Sequence, residues 1–118
     1  MKTILLVDDE LSIVETVGEV LAWEGYRVVT AANGKEGLAA IASARPDLAL
    51  VDFMMPVMDG VQMLRALRAD PIYASLPVVL ITAAPMALPG DIRASTPVLA
   101  KPFDVPALLH VIRSQLGP

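Results

Sequence analysis

The segment Lys2–Glu10 reads KTILLVDDE and joins a short apolar run to three consecutive acids. A run as apolar as Lys2–Val7 is typical of a strand that is covered on both faces, and such strands belong to parallel sheets. The runs Leu48–Val51 (LALV) and Val78–Ile81 (VVLI) have the same character. The three runs therefore predict the central strands of one parallel β-sheet.

Two shorter or more mixed runs, Tyr26–Ala31 and Val98–Ala100, fit the edges of that sheet. Because the five runs alternate with helical patterns, right-handed crossovers should cover both faces of the sheet with helices. The expected fold is an α/β, three-layer, doubly wound sheet of five parallel strands in the flavodoxin-like order 2-1-3-4-5. Its ligand crevice should lie between the carboxyl ends of the first and third strands.

Helical periodicity is clearest in four of the connections. The first helix should end near Gly25, the second and third should cover residues 35–44 and 61–69, and the last should begin after Asp104 as its N-cap. The stretch before the last strand contains three prolines, so a short or irregular fourth helix is expected near Asp91–Ser95. The expected apolar stripe of the last helix consists of Val105, Leu108, Leu109, Ile112 and Leu116.

Weaker expectations concern two side chains and one set of outward positions on these helices. Trp23 flanks the apolar face of the first helix and is expected to pack partly against the core. His110 lies opposite the apolar stripe of the last helix and is expected to be a solvated surface residue. The outward positions of that helix form a weak candidate for a docking face, and they are Ala107, His110, Val111 and Ser114.

Composition and charge exclude several classes of protein. The 118 residues suit one domain over 1–118, and 55% hydrophobic against 19% charged residues excludes disorder. Cysteine is absent, which excludes a disulfide framework and a thiolate zinc site. The net charge of -4 predicts no direct nucleic-acid binding, and the apolar runs are too short for a membrane span. Early acids argue against a secretory signal, so a cytoplasmic location is expected.

Polar side chains stand at the carboxyl ends of four predicted strands. Asp8 and Asp9 follow the first strand, Asp52 the third, Thr82 the fourth and Lys101 the fifth. Three neighbouring carboxylates repel one another unless a cation joins them, and carboxylate oxygens suit Mg²⁺. With Mg²⁺ and the lysine the charges cancel, so a phosphoryl group could approach. Acids after strands also serve as N-caps, and this alternative stays open for the first two.

These segments resemble a response-regulator receiver domain of two-component signalling, of the stand-alone chemotaxis type, over nearly the whole chain. The resemblance rests on LLVDDE, VDFMMPVMDG, LITAA and LAKPF. It implies a phosphorylation-dependent switch in which Asp52 accepts phosphoryl from a histidine kinase or a phosphotransfer protein and Thr82 hydrogen-bonds the phosphoryl group. The downstream partner is expected to be a protein that the sequence does not identify. The expected receiver domain covers 1–118 with no output domain in this chain, which would be either a single-domain regulator or a piece of a longer hybrid kinase or regulator.

The resemblance also implies roles for the remaining polar residues. Mg²⁺ would be bound by Asp9 directly, by Asp8 partly through water, by Asp52 and by the backbone carbonyl of Met54. Lys101 would pair with the acceptor aspartate and then with the phosphoryl oxygens. Because an ammonium group and Mg²⁺ both stabilise a carboxylate, the acceptor is expected to have a lowered pKa and to be ionised at neutral pH.

Departures from the family pattern leave alternatives open. Val98 stands where the family usually has an aromatic residue that couples phosphorylation to output. Met54 and Ala84 stand at positions that tune phosphoaspartate hydrolysis, and neither can orient a water molecule, so slow self-dephosphorylation is expected. The chain would then be no enzyme beyond its own phosphorylation and dephosphorylation. The alternatives are a pseudo-receiver that binds partners without phosphorylation and a small phosphatase-like hydrolase, which would want an acid in place of Met54.

Overall fold

A computed structural model describes residues 1–117, and five parallel strands form one sheet in the order β2-β1-β3-β4-β5. The strands are β1 (Thr3–Val7), β2 (Arg27–Ala31), β3 (Leu48–Asp52), β4 (Val78–Thr82) and β5 (Val98–Ala100). The helices are α1 (Leu11–Trp23), α2 (Gly34–Ala44), α3 (Gly60–Ala69), α4 (Gly90–Ser95) and α5 (Val105–Leu116). The predicted fold class and strand order are therefore confirmed.

The three most apolar strands lie in the centre of the sheet, as predicted. All five residues of β1, of β3 and of β4 are buried, whereas β2 is half exposed and β5 has only three residues. Successive side chains of a strand point to opposite faces, so each central strand contributes to two separate cores. Leu5 and Leu80 pack toward α2 and α3, and Leu6 and Leu50 pack toward α1 and α5. Helices thus cover both faces and fix the strand ends rigidly.

The start of α3 is held close to the end of β3. Asp59 accepts a hydrogen bond from the Gln62 backbone N–H at 2.8 Å, and the Gln62 side chain accepts one from the Asp59 N–H at 2.9 Å, which is a capping box. A Cβ atom on Gly60 would collide with the backbone carbonyl oxygen of Asp52. Asp59 and Gly60 are therefore the start of α3, and glycine allows this helix to approach the end of β3.

The connection between β4 and β5 contains little regular structure. A 3₁₀ turn spans Pro85–Ala87, and α4 has six residues. The prediction of a short or irregular fourth helix is confirmed, because the prolines of this stretch confine the helix to Gly90–Ser95. The buried apolar residues of this connection are Leu88 and Ile92. Among residues 1–117 no helix is long and apolar enough to cross a membrane.

Three expectations for helix surfaces are wrong. Trp23 is 90% exposed, because it lies about 200° around the helix from the buried Leu21. Val105 is exposed at the first turn of α5, where the helix starts beyond the core. Val111 packs against the core instead of facing outward, since it is three residues from the buried Leu108. His110 is exposed, as predicted.

Candidate functional site

The carboxyl edge of the sheet gathers the five polar residues that the sequence singles out. Asp8 and Asp9 follow β1, Asp52 and Thr82 are the last residues of β3 and β4, and Lys101 follows β5. The backbone N–H of Lys101 donates to the carbonyl of Thr82 at 2.9 Å, which continues the β4–β5 pairing up to the site. Strand pairing therefore sets the positions of Asp52 and Thr82, and its continuation holds Asp8 beside Ala31 and Lys101 beside Thr82.

The three aspartates form a compact carboxylate cluster. One oxygen from each of Asp8, Asp9 and Asp52 lies within 4.8 Å of the others. Asp8 and Asp52 are buried, whereas Asp9 is exposed toward solvent. Asp8 also accepts a hydrogen bond from the Glu10 N–H at 2.9 Å, and no side chain caps α1, so the simple N-cap alternative does not describe it. Such a donor set of hard oxygens fits a divalent cation such as Mg²⁺.

Lys101 connects this cluster to a further acid. Its Nζ atom lies 3.0 Å from Asp52 Oδ1, 3.4 Å from Asp8 Oδ2 and 3.6 Å from Glu10 Oε1. Sequence reasoning missed Glu10, although it is the third acid of the VDDE segment. The signal that could have found it is its position directly before α1, where the chain turns back over the crevice.

Burial changes the electrostatics of Asp52 in a way that the sequence did not predict. Burial raises the pKa of Asp52 to about 6, the Lys101 hydrogen bond and charge lower it, and Asp8 and Asp9 raise it. The ammonium group alone therefore does not give the expected lowered pKa, because desolvation outweighs its attraction, and the expected effect of Mg²⁺ stays a prediction. At pH 7 about nine-tenths of Asp52 is still ionised, so a nucleophilic carboxylate is available.

The pKa of Lys101 is raised, although burial alone would lower it. Burial lowers this pKa, but the hydrogen bond to Asp52 and the charges of Asp52 and Asp8 outweigh that effect, so the pKa is raised. Lys101 is consequently protonated at neutral pH. A positive charge thus faces the Asp52 carboxylate at 3.0 Å.

Thr82 and Met54 line the same cleft as Asp52. The cleft has a volume of about 180 Å³, and Glu10, Ala83, Ala84 and Lys101 complete its lining. The buried Thr82 hydroxyl accepts a hydrogen bond from the Ala84 N–H at 2.9 Å, and its own proton stays available for donation. Met54 is 68% exposed beside Asp52. Binding of a metal by the Met54 carbonyl stays a prediction.

The chain matches a family of signalling domains along most of its length. Residues 4–113 match the family model described as the response regulator receiver domain. The phosphate regulon transcriptional regulatory protein PhoB of Pseudomonas aeruginosa is 38% identical over 82 residues. That alignment covers 70% of this chain and 36% of PhoB, so the chain spans about a third of the length of this relative.

Solved structures match the whole fold. The chemotaxis response regulator CheY4 of Vibrio cholerae has a TM-score of 0.89 at 35% identity, with 98% of this chain and 99% of CheY4 covered. The receiver domain of the sensor histidine kinase PA1611 of Pseudomonas aeruginosa has a TM-score of 0.82 at 33% identity, with 99% and 98% covered. The PA1611 domain carries a magnesium ion coordinated in its active-site cleft.

Proposed function

Because the chain belongs to the family of response-regulator receiver domains, we propose that Asp52 is its phosphoryl acceptor. Domains of this family are phosphorylation-dependent switches in two-component signalling, and in general they are switches rather than catalysts. The observation that carries the assignment is the surroundings of Asp52. This carboxylate is buried, contacts Lys101 at 3.0 Å and lies within 4.8 Å of two further carboxylates.

The proposed step transfers phosphoryl from a phosphohistidine of a histidine kinase or a phosphotransfer protein. A carboxylate oxygen of Asp52 forms the new P–O bond, the P–N bond breaks, and the imidazole nitrogen keeps the electron pair of that bond. Lys101 stabilises the negative charge on the transferred oxygens, since its ammonium group is already in place and needs no rearrangement. Thr82 then donates its hydroxyl proton to a phosphoryl oxygen.

The carboxylate cluster is proposed to hold Mg²⁺ in this step. Asp8, Asp9 and Asp52 supply carboxylate oxygens, and the backbone carbonyl of Met54 is the proposed further ligand. When bound, Mg²⁺ supplies positive charge that offsets the repulsion between the carboxylates and the phosphoryl group. The geometry of the protein agrees with this role, because the carboxylates already converge before any metal is added.

The phosphodonor is proposed to dock on a groove beside Lys101. This groove has a volume of about 470 Å³ and lies between α1 and the segment 101–103, which leads from β5 toward α5. Ile13, Val17 and Phe103 give it an apolar lining next to the acceptor cleft. An amphipathic helix of a kinase or phosphotransfer protein could bury its apolar face there and present its phosphohistidine to Asp52.

We propose a cytoplasmic location and a protein as the downstream target, without direct contact to nucleic acid or membrane.

Loss of the phosphoryl group by the chain's own hydrolysis is proposed to be slow. Met54 and Ala84 both line the acceptor cleft, and neither side chain can hydrogen-bond a water molecule for in-line attack. We expect the phosphoprotein to persist for many minutes or longer. Loss within seconds in the presence of Mg²⁺ would contradict this part of the proposal.

The direct test is phosphorylation by a small donor. The protein is incubated with Mg²⁺ and acetyl phosphate, and intact-mass spectrometry should show the addition of one phosphoryl group. Asp52→Asn should show none, and peptide mapping should place the group on Asp52. If the wild type and the variant behave alike, the chain is a pseudo-receiver whose interactions do not depend on phosphorylation.

A further inference from the structure

Glu10 touches the phosphorylation machinery but has no role in the proposed transfer step. Its carboxylate lies 3.6 Å from Lys101 Nζ, and it lines the cleft that also contains Asp52 and Thr82. We infer that Glu10 is a specificity-determining residue, which disfavours small, highly charged phosphodonors relative to a phosphohistidine presented by a protein. This inference rests on the proposed function, because it concerns access to Asp52.

The contacts of Lys101 show how Glu10 competes with a donor. An ammonium group has three N–H donors, and three carboxylates lie near it. Those of Asp8 and Asp52 are buried, with side chains 0% and 7% exposed, whereas the Glu10 side chain is 59% exposed and makes the longest contact. An incoming phosphoryl oxygen therefore takes the place of Glu10 on Lys101 more readily than that of either aspartate.

The charge of the site points in the same direction. One divalent cation and one lysine would neutralise the three aspartates. Glu10 brings a fourth carboxylate to the same site through its contact with Lys101. One negative charge consequently remains at the mouth of the cleft, where solvent screening is incomplete at low ionic strength. A free phosphate compound has to pass this charge without help from other contacts.

A phosphohistidine reaches Asp52 under different conditions. It arrives on a docked protein, and contacts distant from the phosphorus atom contribute binding energy that offsets local repulsion. Repulsion by Glu10 therefore slows phosphorylation by a small free anion more than it slows phosphorylation by a docked protein donor. The expected benefit for signalling is that metabolic acyl phosphates phosphorylate the chain slowly while the kinase does not lose rate to the same extent.

The test compares Glu10→Gln with Glu15→Gln, which removes the same charge from an exposed position on α1. Initial rates of Asp52 phosphorylation are measured at saturating Mg²⁺ for each variant, with acetyl phosphate and with the less negatively charged phosphoramidate. In low salt E10Q should react about 3-fold to 10-fold faster with acetyl phosphate and gain less with phosphoramidate. High salt should remove most of the difference, and Glu10→Asp, which keeps the charge, should stay near the wild-type rate.

The other outcomes separate this inference from the proposed function. Equal rates for E10Q, E15Q and the wild type would overturn the role of Glu10 and leave Asp52 as the acceptor. A slower E10Q would also overturn it, because Glu10 would then hold Lys101 in a productive position. If the wild type itself is not phosphorylated by either donor, the proposed function fails and the inference fails with it.

Discussion

The carboxyl edge of the sheet and the segment between β4 and β5 are built in opposite ways. The aspartates and Thr82 of the edge stand on or directly after β1, β3 and β4, which are buried throughout, and Lys101 follows the three-residue β5 beside them. The segment 83–97 has a six-residue helix and depends on Leu88 and Ile92 for its buried contacts. Chemistry that needs fixed distances is thus placed where the fold is rigid, and a structural response is expected where it is loosely held.

Thr82 joins the two regions. Its hydroxyl accepts a hydrogen bond from the N–H of Ala84, which is the second residue of the loosely held segment. If the hydroxyl turns toward a phosphoryl group on Asp52, as proposed, the change in its position would reach the segment directly through this bond. This route does not require the aromatic residue that Val98 replaces, since Val98 is half-buried and packs against the core.

The largest expected effect tests the rigid edge. Lys101→Met keeps the length of the side chain but removes the ammonium group that lies 3.0 Å from Asp52. Loss of one preorganised charge of this kind costs about 10²-fold to 10³-fold in rate. We expect phosphorylation by acetyl phosphate to slow at least about a hundredfold. Lys2→Met, an exposed lysine before β1 at the opposite edge, serves as the control, and a decrease below about tenfold for K101M would contradict the prediction.

The next effect compares the packing of the two regions directly. Leu50→Ala in β3 and Ile92→Ala in α4 remove side chains of the same size, which are 0% and 6% exposed. We expect losses in the free energy of unfolding of about 4 kcal/mol and about 2 kcal/mol, because β3 is held by two strands whereas α4 can shift to fill the space. Urea denaturation gives both values. An equal or larger loss at Ile92 would show that α4 is as firmly packed as the sheet.

A third effect concerns the free energy of unfolding that the protein loses because Asp52 is a buried carboxylate. Folding raises the pKa of Asp52 from 3.8 to about 6, so the folded protein holds this proton more tightly than the unfolded chain does. Stability should therefore fall as the pH rises from about 4 to 6, and the cost should persist at higher pH. Asp52→Asn removes the titration, and in chelator we expect it to be about 1 to 3 kcal/mol more stable than the wild type at pH 7.5.

This advantage of Asp52→Asn should be much smaller near pH 4, where the wild-type carboxyl is protonated in the folded protein and about half ionised in the unfolded chain. Urea denaturation at the two pH values, with both proteins free of divalent ions, measures the difference. A variant that is less stable than the wild type at pH 7.5 would mean that the Lys101 contact outweighs burial. If Mg²⁺ binds the three carboxylates as proposed, the same variant should lose its advantage at saturating Mg²⁺, since the metal would stabilise the folded wild type more than a variant with two of the carboxylates.

The sequence predicted the sheet because its central strands carry an unambiguous pattern. A run such as Leu48–Val51 can be satisfied only by burial on both faces, so its place in a parallel sheet followed directly. Alternation of strands and helices then left few topologies, and the carboxyl ends of the strands fixed where the aspartates meet. The convergence of the carboxylates within 4.8 Å needed no more than this.

Features that depend on side-chain surroundings could not be predicted in the same way. Glu10 lies in the chain beside two aspartates, and only the fold shows that its carboxylate turns toward Lys101. The pKa of Asp52 depends on a balance between desolvation and an ion pair, and the sequence names the partners without their distances. Trp23 lies at a helix end, where a shift of one or two positions decides between core and solvent.

The smallest expected effect tests whether the loosely held segment is restrained from its surface. Arg65 on α3 donates two hydrogen bonds to the Asp91 carboxylate on α4, at 2.9 and 3.2 Å, and both side chains are exposed. Exposed ion pairs add little to global stability, so Arg65→Ala should leave the urea midpoint unchanged. Because α4 has few other contacts, we expect its amide hydrogens to exchange several-fold faster, as measured by hydrogen–deuterium exchange mass spectrometry.

The chain offers a matched control for this last prediction. Arg113 on α5 makes an ion pair with Glu24, just beyond α1, at 3.4 Å, and this pair joins two helices that are firmly packed on the sheet. Arg113→Ala should change amide exchange in neither α4 nor α5, because buried contacts such as Leu108 and Ile112 hold α5 in place without the ion pair. If both variants increase amide exchange to the same degree, the effect of the Arg65–Asp91 ion pair does not depend on the loose packing of the β4–β5 segment. The two regions would then differ in their functional residues but not in how firmly they are held.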